Sequence, residues 1–205
     1  EDNPSNVFAT LNPLAKGSNA SLENGNTKVS TTSAAYSTQA STLGFNSGKF
    51  YWELKLPSPS NLQFLLYGIT DELNISSAVN TDVMTNYQYS WVKPCYDAYI
   101  RYNTTGGSYS TISYGSVDTA GDIVAVALDA DNSKLYFSKN GTWQNSGDPT
   151  SGSTGTGAIS ITSGRTYFPI GIVYKHASNS NSNFLFNFGN GYFGTTAVSS
   201  AGTNA

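Results

Sequence analysis

The chain has 205 residues, of which 38% are hydrophobic and only 11% are charged, and its formal net charge is -3. A chain of this length is typical of one all-β domain with a sizeable core. The lack of clustered Lys and Arg argues against a nucleic-acid partner, and the lack of a long apolar or basic amphipathic stretch argues against membrane insertion.

The ends of the chain and its cysteine content bear on domain organisation. Cys95 is the only cysteine, so the chain cannot form an internal disulfide and its stability must come from the core. The chain begins with glutamate and ends in a small, polar stretch. We expect one domain over residues 1–194, with N-terminal strands or an extension in 1–44 and the main body in 45–194. Residues 195–205 are expected to be a polar tail leading into a missing C-terminal part.

The first 56 residues predict several strands. Val7, Phe8 and Leu11 are expected to pack onto a sheet, and Leu22–Val29 brackets Asn-Gly-Asn, a hairpin signal. The Ser/Thr/Ala-rich run 30–42 allows an extended strand. Residues 50–56 then alternate, with Phe, Trp and two Leu predicted on one buried face.

Less regular segments follow. Pro57 and Pro59 are expected to end the strand at 50–56, and Phe64–Ile69 is the next apolar run. Residues 87–91 carry an aromatic side chain at every second position. In residues 99–103, Tyr99, Arg101 and Asn103 alternate with Ile100 and Tyr102. Both segments are predicted to be strands.

The clearest pattern is a hairpin within Gly121–Trp143. Ile123–Leu128 is a β-branched apolar run typical of a strand buried on both faces, and polar residues then break it. Leu135–Phe137 begins a second strand, which ends at Asn140-Gly141, because both residues tolerate positive φ. Beyond it, the polar runs 146–157 and 175–183 are predicted to be exposed loops at an end of the fold.

Five segments, in order, resemble the motifs of a SPRY domain, a concanavalin A-like β-sandwich. They are Gly48–Leu56 (GKFYWELKL), Tyr67–Asp71 (YGITD), Gly121–Trp143, Tyr167–Tyr174 (YFPIGIVY) and Phe184–Phe193 (FLFNFGNGYF). The resemblance implies an all-β, two-sheet antiparallel β-sandwich of the jelly-roll type, with long polar loops. It also implies binding of proteins or peptides by loops at one end, with no shared catalytic site.

The titratable residues do not form a recognisable catalytic or metal site. Retaining glycosidases need two carboxylates roughly 5 Å apart, and no glutamate here has a carboxylate two residues away on a strand. Asp129, Asp131 and Ser133 fit a polar hairpin turn better than a calcium loop, which needs Gly at its sixth position. His176 is the only histidine, so a zinc site or a Ser-His-Asp triad is not indicated. We interpret His176 and Cys95 as packed residues, and we expect no enzyme activity, cofactor or metal.

Aromatic and amide side chains are the best candidates for binding. Within the aromatic segment 87–102, Trp91 and the run Tyr99–Tyr102 are expected to be sheet residues, whereas the residues after Pro94 lie between strands. The candidate binding residues are therefore Asn74, Asn86, Tyr96 and Asp97, all in predicted loops.

The low charge and the Ser/Thr/Asn/Gly-rich loops favour a particular setting. With the opening Asn-Pro-Leu and Leu-x-Asn-Gly-Asn, they resemble SPRY-like domains of bacteriophage structural proteins. We expect a non-enzymatic module on a virion surface, in a tail fibre or capsid decoration. Its partners would be other virion proteins or a host surface receptor, either protein or glycan. The sequence leaves the oligomeric state open, with a homo-oligomer as one option because tail fibres and decorations are commonly symmetric assemblies. A lectin-like adhesin, an intracellular interaction adaptor and a glycan-cleaving enzyme are the alternatives.

Overall fold

The computed structural model describes residues 8–56, 62–71, 88–177, 182–193 and 196–197. Within these ranges the chain forms β-strands and three short 3-10 helices, and no helix is long and apolar enough to cross a membrane. The 3-10 helices are Pro13–Ala15, Gln144–Ser146 and Gly152–Thr154. The strands are β1 (Ala20–Glu23), β2 (Lys28–Thr31), β3 (Ser37–Ala40), β4 (Lys49–Lys55), β5 (Leu66–Asp71), β6 (Ser90–Pro94), β7 (Tyr99–Asn103), β8 (Ser110–Ser113), β9 (Ile123–Asp129), β10 (Lys134–Lys139), β11 (Thr142–Trp143), β12 (Ile159–Ser160), β13 (Tyr167–Val173), β14 (Ser182–Asn187), β15 (Tyr192–Phe193) and β16 (Thr196–Ala197).

These strands build two antiparallel sheets that face each other. The larger sheet has the order β1-β2-β14-β4-β9-β10-β11, with β12 also pairing with β10. The smaller sheet has the order β3-β13-β5-β6-β7-β8, and β15 pairs with β16 as a separate ribbon. The predicted two-sheet antiparallel β-sandwich is therefore confirmed.

The hairpin at the centre of the chain forms as predicted. Strands β9 and β10 pair in antiparallel register from Asp129 opposite Lys134 to Val124 opposite Lys139. The turn after β10 places Asn140 at φ 48° and Gly141 at φ 77°, which is the left-handed geometry that this dipeptide tolerates. Strand β9 is buried over nearly all its length because β4 and β10 flank it and the second sheet lies below.

Most of the other predicted strands also form, but the alternating segment 87–91 does not become one strand, because Tyr89 has a φ of 59° and β6 begins at Ser90. The motifs at 48–56, 67–71, 167–174 and 184–193 become β4, β5, β13 and β14, and the Asn-Gly-Asn segment joins β1 to β2. The run 30–42 contributes the end of β2 and the whole of β3. Pro57 and Pro59 lie outside the described residues, and β4 ends at Lys55.

Aromatic rings from the two sheets meet in the core. The Tyr67 ring of β5 contacts the Phe137 ring of β10 edge-on at 5.8 Å and the Phe184 ring of β14 at 6.4 Å. Trp91 and Tyr167 of the smaller sheet also meet edge-on, at 5.6 Å. These offset, edge-to-face contacts are the arrangements that aromatic quadrupoles favour.

The N-terminal strands complete both sheets. Strand β2 pairs with β14 in the larger sheet, and β3 pairs with β13 in the smaller one. Leu11 and Val29 are fully buried in the shared core. Residues 8–44 therefore cover one edge of each sheet that would otherwise be unpaired.

Candidate functional site

One end of the smaller sheet gathers aromatic residues from four separate connections. They follow β2, β4, β6 and β13, and the antiparallel order of the strands brings them to the same end. A strip of six side chains results, which we call the aromatic strip; its members are Tyr36, Phe64, Tyr96, Arg101, Tyr109 and Tyr174.

The rings of the strip are in contact from one member to the next. Tyr36 lies 4.9 Å from Tyr174 between ring centroids, and Tyr174 lies 5.0 Å from Phe64. Phe64 in turn meets Tyr96 edge-on at 6.1 Å. Most of these rings are half-buried, so each is held by its neighbours and keeps part of its surface open to solvent.

Arg101 continues the strip along the outer face of β7. Its guanidinium carbon lies 5.3 Å from the centre of the Tyr96 ring and 5.0 Å from that of Tyr109. It donates hydrogen bonds to the Tyr96 hydroxyl and, at 3.1 Å, to the Asp97 carboxylate. The Arg101 guanidinium thus stacks on the two tyrosine rings and pairs with the Asp97 carboxylate, and together these contacts fix its orientation.

Phe64 occupies its place at the expense of backbone strain. Its φ of 69° lies in the left-handed region, which costs a non-glycine residue about 1–2 kcal/mol. The neighbouring side chains Leu62 and Leu65 are buried in the core, whereas the Phe64 ring joins the strip. Strain of this kind is concentrated at functional positions, which supports a binding role for this end of the sheet.

A cleft opens beside the Tyr36 end of the strip. It has a volume of about 450 Å³, and residues 174–177 form one side while Thr32 and Ala34 form the other. His176 stacks on Phe64 with 6.1 Å between the ring centres. The backbone amide of Lys175 donates to the Ser33 carbonyl at 3.0 Å, which ties the two sides together. The strip therefore combines an exposed ridge of rings with an adjacent recess.

The structure brings two of the predicted binding residues to this site. Tyr96 is a central member of the strip, and Asp97 holds its arginine. The other two predicted residues, Asn74 and Asn86, lie outside the described residues and stay predictions.

Other aromatics of the segment 87–102 have structural positions, as expected for strand residues. Trp91 is 2% exposed and faces the core, and Tyr102 also packs on the core. Tyr89 is covered by the Arg165 guanidinium, whose carbon lies 3.2 Å from the ring centre. Tyr99 is the exception, because 47% of its surface is exposed beside the strip.

Sequence reasoning missed Tyr36, Phe64 and Tyr174 as site residues. Phe64 and Tyr174 sit at the ends of apolar runs that read as strands. Tyr36 did carry a signal, since it is the only aromatic residue in a run of small polar residues. Their convergence depends on strand order, which no local pattern encodes.

Away from the aromatic strip, a cluster of titratable side chains is buried in the core. The Lys93 ammonium donates to the Asp118 carboxylate at 2.9 Å, with both side chains at most 1% exposed. The Tyr67 hydroxyl donates to the same oxygen, Oδ2, at 3.1 Å. Burial raises the pKa of Asp118 although Lys93 and Tyr67 oppose that shift. Cys95 is fully buried nearby, and burial raises the pKa of its thiol well above the ordinary value, so it is an unreactive packed residue.

The carboxylates considered for chemistry have structural partners. Glu53 accepts hydrogen bonds from the Tyr51 hydroxyl at 2.8 Å and from the Asn187 amide at 3.1 Å. Asp129 accepts from Asn132 within the hairpin turn, and Asp131 accepts from the backbone of Gly48 at 2.8 Å. The predicted role of these aspartates in a polar turn is confirmed. Within the described residues no group of three or more His, Cys, Asp or Glu side chains could hold a metal ion.

The fold is that of a SPRY domain. The SPRY domain of human HERC1 superposes with a TM-score of 0.60 at 17% sequence identity, covering 88% of this chain and 98% of that one. The TRIM65 PSpry domain gives a TM-score of 0.59 at 12% identity, covering 88% and 92%. Stonustoxin gives 0.58 at 17%, covering 88% of this chain and 27% of the toxin. No protein-family model and no curated protein sequence matches this chain.

Proposed function

We propose that this chain is a non-enzymatic module that binds a protein partner through the aromatic strip. The observation that carries the proposal is the unbroken series of contacting rings and one arginine across one end of the smaller sheet. Tyr and Arg are the side chains that most often dominate binding energy at protein interfaces. The resemblance to SPRY domains supports the same mode of binding by loops at one end of the sandwich.

A displayed library of random peptides tests this function. Peptides selected on the immobilised wild-type chain are measured by calorimetry against Tyr96→Ala and Tyr109→Ala. Each variant is expected to weaken binding by roughly tenfold or more, as for the centre of an interface. Tyr109 is 39% exposed, so its replacement leaves the core intact.

A matched control separates the strip from the rest of the surface. Val117 is 46% exposed and lies outside the strip, so Val117→Ala is expected to bind the selected peptides as the wild type does. Equal affinity of wild type and both tyrosine variants, or failure to select any peptide, would remove the strip as a protein-binding surface.

We further propose that the module is displayed on a virion, as part of a tail fibre or capsid decoration, where it contacts other virion proteins or a host receptor. The support is compositional: charged residues make up 11% of the chain, and Ser, Thr, Asn and Gly fill its loops. Mass spectrometry of particles purified from the source should detect peptides of this chain, and antibodies against it should label the particle surface. Particles that lack the polypeptide would rule this setting out.

A further inference from the structure

The outer face of the larger sheet carries a second recess, separate from the aromatic strip. It has a volume of about 590 Å³, within the range of small-ligand sites. Its floor is formed by Tyr51 of β4 and Ala127 of β9, and Trp143 of β11 and residues 147–150 form its sides. Because the strip belongs to the other sheet, the two sites use different residues throughout.

The strand register explains why the recess exists. Tyr51, Ala127 and Tyr136 lie side by side on β4, β9 and β10, so a small side chain separates two large ones. The Trp143 ring meets Tyr51 edge-on at 6.1 Å and Tyr136 edge-on at 6.3 Å. The small Ala127 side chain leaves room above β9 for the Trp143 ring to contact both tyrosines, and Trp143, Tyr51 and Ala127 line the recess.

The wall at 147–150 is held in place before any ligand arrives. The Asp148 amide donates to the Thr156 carbonyl at 3.0 Å, and the Ser151 hydroxyl donates to the Asp148 carbonyl at 2.6 Å. Thr150 donates from its amide at 2.9 Å and its hydroxyl at 2.6 Å to Asp148 Oδ1. A ligand therefore meets a wall that needs little further ordering, which removes one of the main losses on binding.

The recess has a hydrogen-bond donor and a hydrogen-bond acceptor at its margins. Lys49, which is 53% exposed, supplies a cationic donor at one margin, and Asp148 supplies an acceptor at the other. Hydrogen bonds from Thr150 lower the pKa of Asp148, so it is a carboxylate at neutral pH. Asp129 already binds Asn132 and lies 3.4 Å from Lys49, which leaves it as a fixed charge and not a proton donor.

We propose that this recess binds a neutral saccharide, with Trp143 and Tyr51 against the apolar face of a sugar ring and Lys49 and Asp148 on its hydroxyl groups. The C–H face of a sugar ring packs on an aromatic surface, and the hydroxyl groups around the ring both donate and accept hydrogen bonds. The aromatic rings of the recess match the first property, and Lys49 and Asp148 match the second. Two carboxylates against one lysine disfavour an acidic sugar or a phosphate. Hydrogen bonds from Asn132 and Thr150 keep the pKa of Asp129 and of Asp148 below the ordinary value, so neither carboxylate of the lining is held protonated as the general acid of glycoside hydrolysis, and the site binds the sugar without cleaving it.

The test is an array of neutral mono- and oligosaccharides probed with the full chain, followed by titration of each bound sugar by tryptophan fluorescence and calorimetry. Trp52 and Trp91 are both 2% exposed, whereas Trp143 is partly exposed and lines the recess, so a fluorescence change reports on the recess. Trp143→Ala is expected to weaken binding by roughly tenfold or more. Lys49→Met, at an exposed position, should weaken it severalfold without a loss of fold.

Two results would overturn the proposal. One is that no neutral saccharide binds, or that only acidic sugars or peptides do. The other is that bound sugars keep their affinity in both recess variants. Tyr96→Ala, in the aromatic strip, serves as the matched control and is expected to bind sugar as the wild type does. The experiment therefore tests saccharide binding by the recess independently of protein binding by the strip.

Discussion

The buried pair Lys93 and Asp118 is the least expected feature at the scale of single residues. Two opposite charges with at most 1% exposure must recover the free energy of leaving water through their mutual contact and the Tyr67 hydroxyl. Asp118 Oδ1 has no hydrogen-bond partner among the described residues, so compensation is incomplete. The pair is therefore a sensitive point of the core.

Replacement of the lysine alone is expected to destabilise the fold strongly. Lys93→Met leaves the carboxylate buried without its cation and should lower the free energy of unfolding by about 3–5 kcal/mol at neutral pH. The double variant with Asp118→Asn keeps an acceptor for Tyr67 and should recover most of that loss. Urea denaturation measures all three proteins, and a double variant no more stable than the single one would contradict this account.

The free energy of unfolding of Lys93→Met should depend on pH in a defined direction. Asp118 has a pKa raised in the folded state, so between its unfolded and folded pKa the native protein binds more protons than the unfolded chain. Stability from this group therefore falls as pH rises through that interval. Loss of Lys93, which lowers the pKa of Asp118, raises that pKa further in Lys93→Met, so the variant loses more stability than the wild type as pH rises. The deficit should be smaller near pH 4 than near pH 7, and a deficit that grows on acidification would be inconsistent with a buried carboxylate.

At the scale of secondary-structure elements, two glycines are required for different structural reasons. Gly68 lies in the middle of β5, where an added Cβ would stand 2.1 Å from the Trp91 carbonyl oxygen on β6. Gly141 lies in the turn after β10 at φ 77°, with open space around it. The first is needed for close approach of two strands, and the second for a backbone conformation.

Alanine at these two positions separates steric clash from conformational strain. Gly68→Ala must push β5 from β6 and should lower the free energy of unfolding by about 3 kcal/mol or more. Gly141→Ala meets no atom and should lose only about 1 kcal/mol, from its positive φ. Gly141→Asn is the control, because Asn tolerates that φ, and it should be close to wild type. Thermal and urea denaturation give the ranking, and equal losses at both positions would refute it.

At the scale of the whole molecule, the N-terminal strands are part of both sheets. Strand β2 covers the edge of β14, and β3 covers the edge of β13. Val29 and Leu11 add fully buried side chains to the common core. Residues 8–44 therefore act as an integral layer of the sandwich in the described structure.

A truncated chain tests this integration. The fragment 45–205 should fail to form a stable monomer, since two sheet edges and part of the core become exposed. Addition of the peptide 8–44 in trans should restore cooperative unfolding by pairing with both edges. Circular dichroism and size-exclusion chromatography report the outcome, and a fragment as stable as the full chain would mean that the first 44 residues are a dispensable extension.

Much of the fold could be read from local patterns. The apolar run before Asp129, the alternation in 50–56 and the Asn140-Gly141 turn each report which residues face inward and where the chain reverses. Those properties depend on neighbours within a few positions, so they survive without knowledge of the partner strand. The same reasoning placed Tyr96 and Asp97 in a loop and Trp91 in a strand.

Strand order and register decided the rest. Tyr36, Phe64, Tyr96 and Tyr174 come from connections scattered over the chain and meet only because β3, β13, β5 and β6 are neighbours. Likewise, the recess beside Tyr51 and Trp143 depends on Ala127, which falls between Tyr51 and Tyr136 in the register. The Lys93 ammonium is paired in the core because Asp118 reaches it from a distant segment. Periodicity reports that a side chain faces inward or outward, but its partner across the sheet is set by long-range pairing, which is why both binding surfaces became visible only in three dimensions.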